Sequence, residues 1–206
     1  MSQSHHTRPT IQIARSRFKR DQDGELIPPK IIERKPYPGD IHPISKVHIS
    51  TFIRHLPIAY SYGLKSIELL PRKNPIGEPY GFYMNDEKRI ILYSLPWPTW
   101  TFKSLPPHLE DWYDSHAAEI YRNDTNVEVR WKRHIDIAYF MFAEVFTHEL
   151  GHHHQNRFKR KYKYPYNRNA CEESADRHAK FLSESGAFRI WHDMTENTEQ
   201  GAGANG

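Results

Sequence analysis

The stretch from Phe146 to Gln155, FTHELGHHHQ, contains four histidines within seven residues. It follows IDIAYFMFAEV, residues 135–145, where apolar side chains cover nearly every face of a helix, which is typical of a helix buried in a core. We predict one helix from about His134 to Phe158. Buried polar side chains without partners cost on the order of a few kcal/mol. The histidines at the end of this helix therefore need partners, and metal ligation is one way to supply them.

Helix geometry selects two of these histidines. Residues four apart lie about 40° apart around the axis and one turn along, so His148 and His152 can direct ring nitrogens at one metal ion. Glu149 lies about 100° round from His148, where its carboxylate can reach a water on the metal without binding the ion. Chance alone produces HExxH about 0.07 times in such a chain. Gly151 predicts that another element approaches this helix closely.

A third ligand is required, because catalytic zinc takes three protein ligands and keeps one position for water. The extended pattern HExxHxxGxxH fails, since Gln155 and Phe158 stand where it needs glycine and histidine. A second predicted helix, from about Ala170 to Ser185, offers the neighbours Glu172 and Glu173.

Helical periodicity favours Glu172 of these two. Its face is small and mostly apolar, able to approach the histidine helix, and carries Ala175, Asp176, Ala179 and Leu182. The face of Glu173 is charged and predicted to be solvated, with Arg177, Lys180 and Glu184. Asp176 is predicted to accept the free ring N–H of a ligating histidine. The alternative is that Glu172 only completes a capping box with Asn169.

The other histidines and the oxyanion-stabilising residue are less constrained. His153 and His154 turn about 100° and 200° from His152, and we predict surface positions or contacts with the ligands for them. Spacing selects none of the candidates for the oxyanion, which are Tyr162, Tyr164, Tyr166, His178 and His192.

The rest of the chain predicts one domain of the α+β class, with a small twisted sheet or hairpin packed on the two helices. Residues 1–44 are polar and Pro-rich and are predicted to form a poorly structured arm, 45–190 the domain, and 191–206 a flexible tail. Residues 66–70 and 126–131 are predicted strands, and 77–94 a hairpin around Asn85 and Asp86. A short helix is predicted before Pro57, an irregular loop at 95–107, and a helix from Leu109 to Tyr121.

Composition predicts a cytoplasmic protein. No run approaches the roughly 18 apolar residues of a membrane span, the first twenty residues lack a signal-peptide core, and the chain has one cysteine, Cys171. We therefore expect no membrane association and no disulfide framework.

The net charge of +4 is mild, but basic residues gather in NRFKRKYKYPYNRN, residues 156–169, between the two helices. Aromatic residues alternate there with basic ones, including Arg157, Lys159, Arg160, Lys161 and Lys163. Three interpretations stay open: single-stranded nucleic acid, an acidic protein partner, or a solvated loop.

Together, HELGH at 148–152 and ExxADxxA at 172–179 resemble the gluzincin metallopeptidases, and most of all the minigluzincins and the ImmA/IrrE-type peptidases. His178 departs from the latter, which usually carry phenylalanine there. The resemblance, over about residues 66–185, implies a minigluzincin-like fold, with one zinc per chain on His148, His152 and Glu172. It also implies that a strand upstream of the motif helix, for which GFYMNDEKRIILYS is the candidate, binds extended substrate.

We accordingly expect a zinc metalloendopeptidase that hydrolyses a peptide bond in an intracellular protein. Glu149 would accept a proton from the zinc-activated water and pass it to the leaving amine. Three alternatives remain: a nucleic-acid-binding protein with a structural or regulatory metal site, a hydrolase of another bond, and an interaction module with a degenerate site.

Overall fold

The structure, a computed structural model, describes residues 27–72, 79–157, 168–186 and 188–193. Within these ranges the fold is mixed α+β, with small sheets and several helices. The first half contains β1 (Lys30–Glu33), β2 (Asp40–Ile41), α1 (Lys46–His55), a 3₁₀ turn (Ile58–Tyr60), β3 (Ser66–Leu70), β4 (Gly81–Met84) and β5 (Arg89–Tyr93). The second half contains β6 (Leu95–Pro96), β7 (Thr99–Phe102), α2 (Pro107–Ser115), β8 (Ala118–Arg122), β9 (Val127–Trp131), α3 (His134–Phe140), a π-helical segment (Met141–Phe146), α4 (Thr147–Arg157) and α5 (Arg168–Ser183).

A four-stranded sheet in the order β1-β3-β5-β4 supports the helices. The first three of these strands are parallel to one another, and β4 pairs antiparallel with β5 at the edge of the sheet. The strand predicted at 66–70 and the hairpin around Asn85 and Asp86 are confirmed. The backbone of Gly81 lies so close to the π-helical segment that a Cβ there would come within 2.9 Å of the Val145 side chain. The edge strand is therefore pressed against the helix that leads to FTHELGHHHQ.

A second sheet, in the order β7-β9-β8, is antiparallel and overturns two predictions. The segment 95–107, predicted as an irregular loop, contains β6, which pairs with β2, and β7, whose Trp100 is fully buried in the core. The helix predicted from Leu109 to Tyr121 ends at Ser115. Ala117, with φ of 61°, then turns the chain into β8. The strand predicted at 126–131 is confirmed as β9.

The limits predicted for the arm and the tail are too wide. Lys30–Glu33 pairs with Ser66–Leu69 as part of the sheet, so the ordered fold begins before residue 45. Trp191, assigned to the tail, is fully buried and stacks on Phe142 with ring centroids 4.1 Å apart. Burial of a large aromatic side chain is strongly stabilising, so Trp191 belongs to the core and not to a flexible tail. Residues 1–26 and 194–206 lie outside the described ranges.

The long predicted helix of residues 134–158 is continuous but not uniform. It consists of α3, the π-helical segment and α4, and its last described residue is Arg157. A π turn holds one more residue than an α turn and is often found at functional sites. Here it comes directly before the HELGH turn of α4. Every helix in the described ranges is too short or too polar to cross a bilayer.

The glutamate helix, predicted from Ala170 to Ser185, is observed as α5 and packs directly on α4. The close approach predicted at Gly151 is confirmed. A Cβ at this position would come within 2.9 Å of the Ala175 carbonyl oxygen and 3.0 Å of its Cα atom. Residue 151 is therefore glycine because the backbones of the two helices nearly touch there.

Candidate metal site

The first turns of α4 carry the two histidines of the HExxH pattern side by side. The ring centroids of His148 and His152 are 4.6 Å apart, and the ring planes are nearly perpendicular. Both side chains are about one fifth exposed. Burial lowers the pKa of His152, and the neighbouring His148 lowers it further. A lowered pKa favours the neutral ring, which is the form that binds metals.

Glu172 reaches both histidines from α5. Its Oε2 atom lies 3.2 Å from Nε2 of His148 and 3.3 Å from Nε2 of His152. One donor atom from each of the three side chains lies within 4.8 Å of the other two. Glu173, the alternative on the same helix, is exposed. The packing of α5 on α4 at Gly151 thus brings Glu172, and not its neighbour, to the pair.

Asp176, one turn beyond Glu172, accepts a hydrogen bond from Nδ1 of His148 at 2.8 Å. A carboxylate only accepts, so in a neutral His148 ring the proton lies on Nδ1, and Nε2 keeps the lone pair that metal binding requires. This is the arrangement by which outer carboxylates orient metal-binding imidazoles. The Asp176 side chain is 69% exposed, so solvent weakens the electrostatic part of this contact.

These three donors suit a zinc ion. Imidazole nitrogen and carboxylate oxygen are zinc ligands at about 2.0 to 2.2 Å, and two ligand atoms of a tetrahedral site at that distance are about 3.3 Å apart. The observed separations of 3.2 and 3.3 Å between Glu172 and the two histidines match this value. In the part of the chain that the structure describes, no other group of three or more His, Cys, Asp or Glu side chains has its ligand atoms within 4.8 Å of one another.

Glu149 is buried beside the three donors, with 8% of its surface exposed. Burial raises the pKa of Glu149 to about 7; the charge of His148 and the backbone N–H of Tyr83 oppose this rise, and Glu172 adds to it. The N–H of Tyr83 therefore faces the Glu149 carboxylate. Tyr83 belongs to the edge strand β4, so this strand lies next to the candidate site.

The prediction of a surface or ligand-contacting position for His153 is wrong. His153 is fully buried, with Nε2 3.1 Å from the Tyr62 carbonyl oxygen and Nδ1 3.1 Å from the Tyr83 hydroxyl. Burial lowers the pKa of His153 to about 4; the Tyr62 bond opposes this, whereas Lys88 and Arg157 lower it further. Helix spacing predicts the direction in which the His153 ring projects from α4. It does not predict that the strand β4 packs on that side.

His154 and His178 belong to a separate cluster. The ring of His154 stacks on Tyr60 with centroids 4.7 Å apart, and the Tyr60 hydroxyl is 2.8 Å from Nδ1 of His178. His178, the departure from the ImmA/IrrE pattern, is thus engaged with Tyr60. His192, another oxyanion candidate, contacts the rings of Tyr139 and Trp191. The tyrosine candidates at 162, 164 and 166 lie outside the described residues.

Sequence reasoning missed an ion pair one turn before His148. Glu144 is 3.3 Å from Nε2 of His116, whose Nδ1 donates to the Trp112 carbonyl oxygen at 2.7 Å. Burial lowers the pKa of His116, but the bonds to Glu144 and Trp112 outweigh it and leave the pKa raised. The bond to His116 lowers the pKa of Glu144, although burial opposes it. His116 and Glu144 are far apart in sequence and belong to different elements, so no local pattern signalled this pair.

The basic segment of residues 156–169 is largely outside the described ranges. This holds for Lys159, Arg160, Lys161 and Lys163. The exception among the predicted anion-binding residues is Arg157, at the end of α4. Its guanidinium lies over the ring of Tyr62, with the Cζ atom 4.8 Å from the ring centroid. This contact fastens Arg157 to the fold through a cation–π interaction.

Comparison with known proteins gives no match: no family model, curated protein or solved structure matches this chain significantly. We therefore infer the function of this chain from the geometry of the site.

Proposed function

We propose that this protein is a zinc-dependent metallopeptidase that hydrolyses a peptide bond in a protein or peptide substrate. The observation that carries the proposal is the convergence of His148, His152 and Glu172, with ligand atoms within 4.8 Å of one another, beside the buried carboxyl of Glu149. Three protein ligands with an adjacent carboxylate form the usual set for zinc-assisted hydrolysis. The gluzincin resemblance and the minigluzincin-like fold are part of this proposal.

Each residue has a distinct role in the proposed reaction. His148, His152 and Glu172 hold one zinc ion per chain, and Asp176 orients the ring of His148. Bound zinc supplies Lewis acidity, which lowers the pKa of water and polarises a carbonyl oxygen. Glu149 accepts the proton of the attacking water on its carboxylate and transfers it to the departing amine nitrogen.

The edge strand β4 favours a peptide as the substrate over another hydrolysable molecule. Among the described strands, β4 pairs on one side only, and its other side carries backbone N–H and C=O groups. An extended peptide can add to such an edge by main-chain hydrogen bonds. Because β4 directly contacts α4 and the Tyr83 N–H faces Glu149, a peptide aligned along this edge would pass close to the proposed base.

Two alternative functions are less well supported than this proposal. Nucleic-acid binding relied on residues 156–169, and two described contacts there, Asn156 with the His152 carbonyl oxygen and Arg157 with Tyr62, are internal. Hydrolysis of a non-peptide bond would use the same zinc and base. Detection of cleaved peptides distinguishes peptide hydrolysis from this alternative. The cytoplasmic setting stays a prediction from the sequence.

Zinc content tests the ligands. We expect about one zinc per chain in the wild type without a histidine tag, and loss or strong weakening in His148→Ala and Glu172→Ala. Glu173→Ala is the matched control, since it removes a neighbouring carboxylate on the exposed face of α5, and it should keep the metal. Wild-type protein that takes up no zinc after reconstitution would end the proposal.

Activity is tested separately with the zinc-loaded chain. A mixture of peptides is incubated with the wild type and with Glu149→Gln, and new termini are identified by mass spectrometry. We expect cleavage by the wild type that a chelator abolishes. Glu149→Gln should bind zinc normally but cleave at least about 100-fold more slowly. Equal cleavage by both proteins would exclude Glu149 as the base.

A further inference from the structure

His153 is the one fully buried histidine of FTHELGHHHQ, and the proposed reaction gives it no role. It follows the proposed ligand His152, so its ring projects about 100° further round α4. There it lies between two parts of the chain that are distant in sequence: the residues after the 3₁₀ turn and the edge strand β4.

The two hydrogen bonds of His153 fix where its proton lies. The Tyr62 carbonyl oxygen can only accept, so Nε2 must donate to it. In a neutral ring, the form that full burial favours, Nδ1 is then an acceptor, and the Tyr83 hydroxyl donates to it. The ring of His153 also packs edge-on against Tyr83, with centroids 5.3 Å apart. His153 is therefore bonded to β4 through a side chain of that strand.

The backbone of Tyr83 shows why this connection matters. In an antiparallel pair, residues alternately direct their N–H and C=O groups toward the partner strand and away from it. The Tyr93 N–H donates to the Tyr80 carbonyl, so Tyr83, three residues along, directs its backbone groups away from β5. Its N–H faces the carboxylate of Glu149 and lowers the pKa of that group. One residue of β4 thus bonds to His153 through its hydroxyl and directs its amide toward Glu149.

We propose that His153 is a positioning residue that, through the Tyr83 hydroxyl, fixes β4 against α4 and so holds the Tyr83 amide on Glu149. Its relevance to catalysis rests on the proposed function, whereas the connection itself does not. The amide that faces Glu149 comes from a strand at the sheet edge, which pairs on one side only within the part of the chain that the structure describes. The bond from His153 supplies a second attachment at the residue whose amide is used.

Amide hydrogen exchange of the full metal-free chain, followed by NMR, tests this inference without any substrate. We expect Tyr83→Phe and His153→Phe to speed exchange of the residue 83 amide by roughly 3- to 10-fold, because each removes the hydroxyl–imidazole bond. Amides of the central strand β3 should keep their rates. Tyr60→Phe is the matched control, since it removes another buried tyrosine hydroxyl bonded to a histidine, His178, and should leave the residue 83 amide unchanged.

A double variant separates positioning from general stabilisation. If the hydroxyl acts by holding the amide on Glu149, Tyr83→Phe should have little further effect on exchange at residue 83 in a Glu149→Ala background. Additive effects, an unchanged residue 83 amide, or equal acceleration throughout the sheet would overturn the inference. If His153→Phe does not fold, Tyr83→Phe alone decides the question. Failure of the chain to bind zinc would instead contradict the proposed function and leave this test intact.

Discussion

At the scale of single residues, one short stretch of histidines contains three different environments. His148 and His152 meet Glu172, His153 is buried between Tyr62 and Tyr83, and His154 stacks on Tyr60. The same imidazole is a candidate metal ligand, a buried hydrogen-bonding group or an aromatic packing partner, according to what each angle round the helix faces. The surroundings of each ring therefore determine which substitutions should affect metal binding.

Asp176→Ala should weaken zinc affinity by about tenfold, with one zinc per chain still bound at saturation. Outer carboxylates contribute about 10- to 100-fold to metal affinity, and we expect the lower end because Asp176 is 69% exposed. Competition with a calibrated chelator measures the affinity. Arg177→Ala, the next residue on α5, is the control and should bind as the wild type does; equal losses in the two variants would contradict the role of Asp176.

The His116–Glu144 pair should stabilise the metal-free protein most between about pH 4.5 and 6.5. The raised pKa of His116 means that its contribution is complete below its ordinary value of 6.5 and is lost as the pH rises through the folded value. The lowered pKa of Glu144 means that its contribution is present above 4.5 and is lost as the pH falls through its folded value.

Urea unfolding of the wild type and Glu144→Gln over this pH range measures that contribution. The difference in unfolding free energy should be largest inside the window and shrink above it as His116 loses its proton. Glu128→Gln is the control, because its partner Arg130 stays charged throughout. A difference for Glu144→Gln that does not change up to pH 9 would mean that His116 is not charged in the pair.

At the scale of elements, the candidate site depends on how closely α4 and α5 approach. The two histidines are on one helix and the glutamate on the other, and the backbones nearly touch where residue 151 has no side chain. The apolar face of α5, with Ala175 and Leu182 fully buried, is what packs there. The contact that stabilises the helix pair is therefore the same contact that sets the distance from Glu172 to the histidines.

Gly151→Ala should destabilise the protein by roughly 1–3 kcal/mol, as overpacking does, although alanine is the better helix former by about 1 kcal/mol. Its Cβ would collide with the Ala175 backbone, so the helices must separate and zinc affinity should fall as well. Gly186→Ala, with no atom within 4 Å of its Cβ, is the control. Denaturant unfolding measures the change in stability, and zinc titration measures the change in affinity. A higher free energy of unfolding in Gly151→Ala than in the wild type would mean that α5 can move to accommodate the Cβ atom.

At the scale of the whole molecule, the candidate site is supported by parts of the chain that lie before α4 and after α5. The π-helical segment carries Phe142, which packs on Phe52 of α1 and on Trp191 near the end of the described chain. The strand β1 adds to the sheet from the other end of the chain. Segments predicted as a loose arm and tail thus help to support the helix that holds the candidate ligands.

Trp191→Ala should lower the free energy of unfolding by about 3–5 kcal/mol, the cost of removing a large, fully buried aromatic side chain. Ile190→Ala is the matched control, because Ile190 is 42% exposed and should change stability by no more than about 0.5 kcal/mol. Denaturant unfolding monitored by circular dichroism measures both. Equal stability of Trp191→Ala and the wild type would mean that residues 188–193 are dispensable.

The sequence alone determined the local features of this protein. The long helix of residues 134–157, α5 and the hairpin of β4 and β5 follow from periodicity and turn residues, which act between near neighbours. The spacing of His148 and His152 and the choice of Glu172 over Glu173 as the inward-facing carboxylate follow from helix geometry.

Tertiary packing decided the rest. The strand β7 forms in a proline-rich segment because Trp100 enters the core and β9 offers a pairing edge, and β6 in the same segment pairs with β2. The predicted helix through Tyr121 gives way to β8 for a similar reason, since β9 lies beside it. His153 is buried because β4 and the residues around Tyr62 come together at one side of α4. These contacts join residues far apart in sequence, so local patterns carry no signal for them.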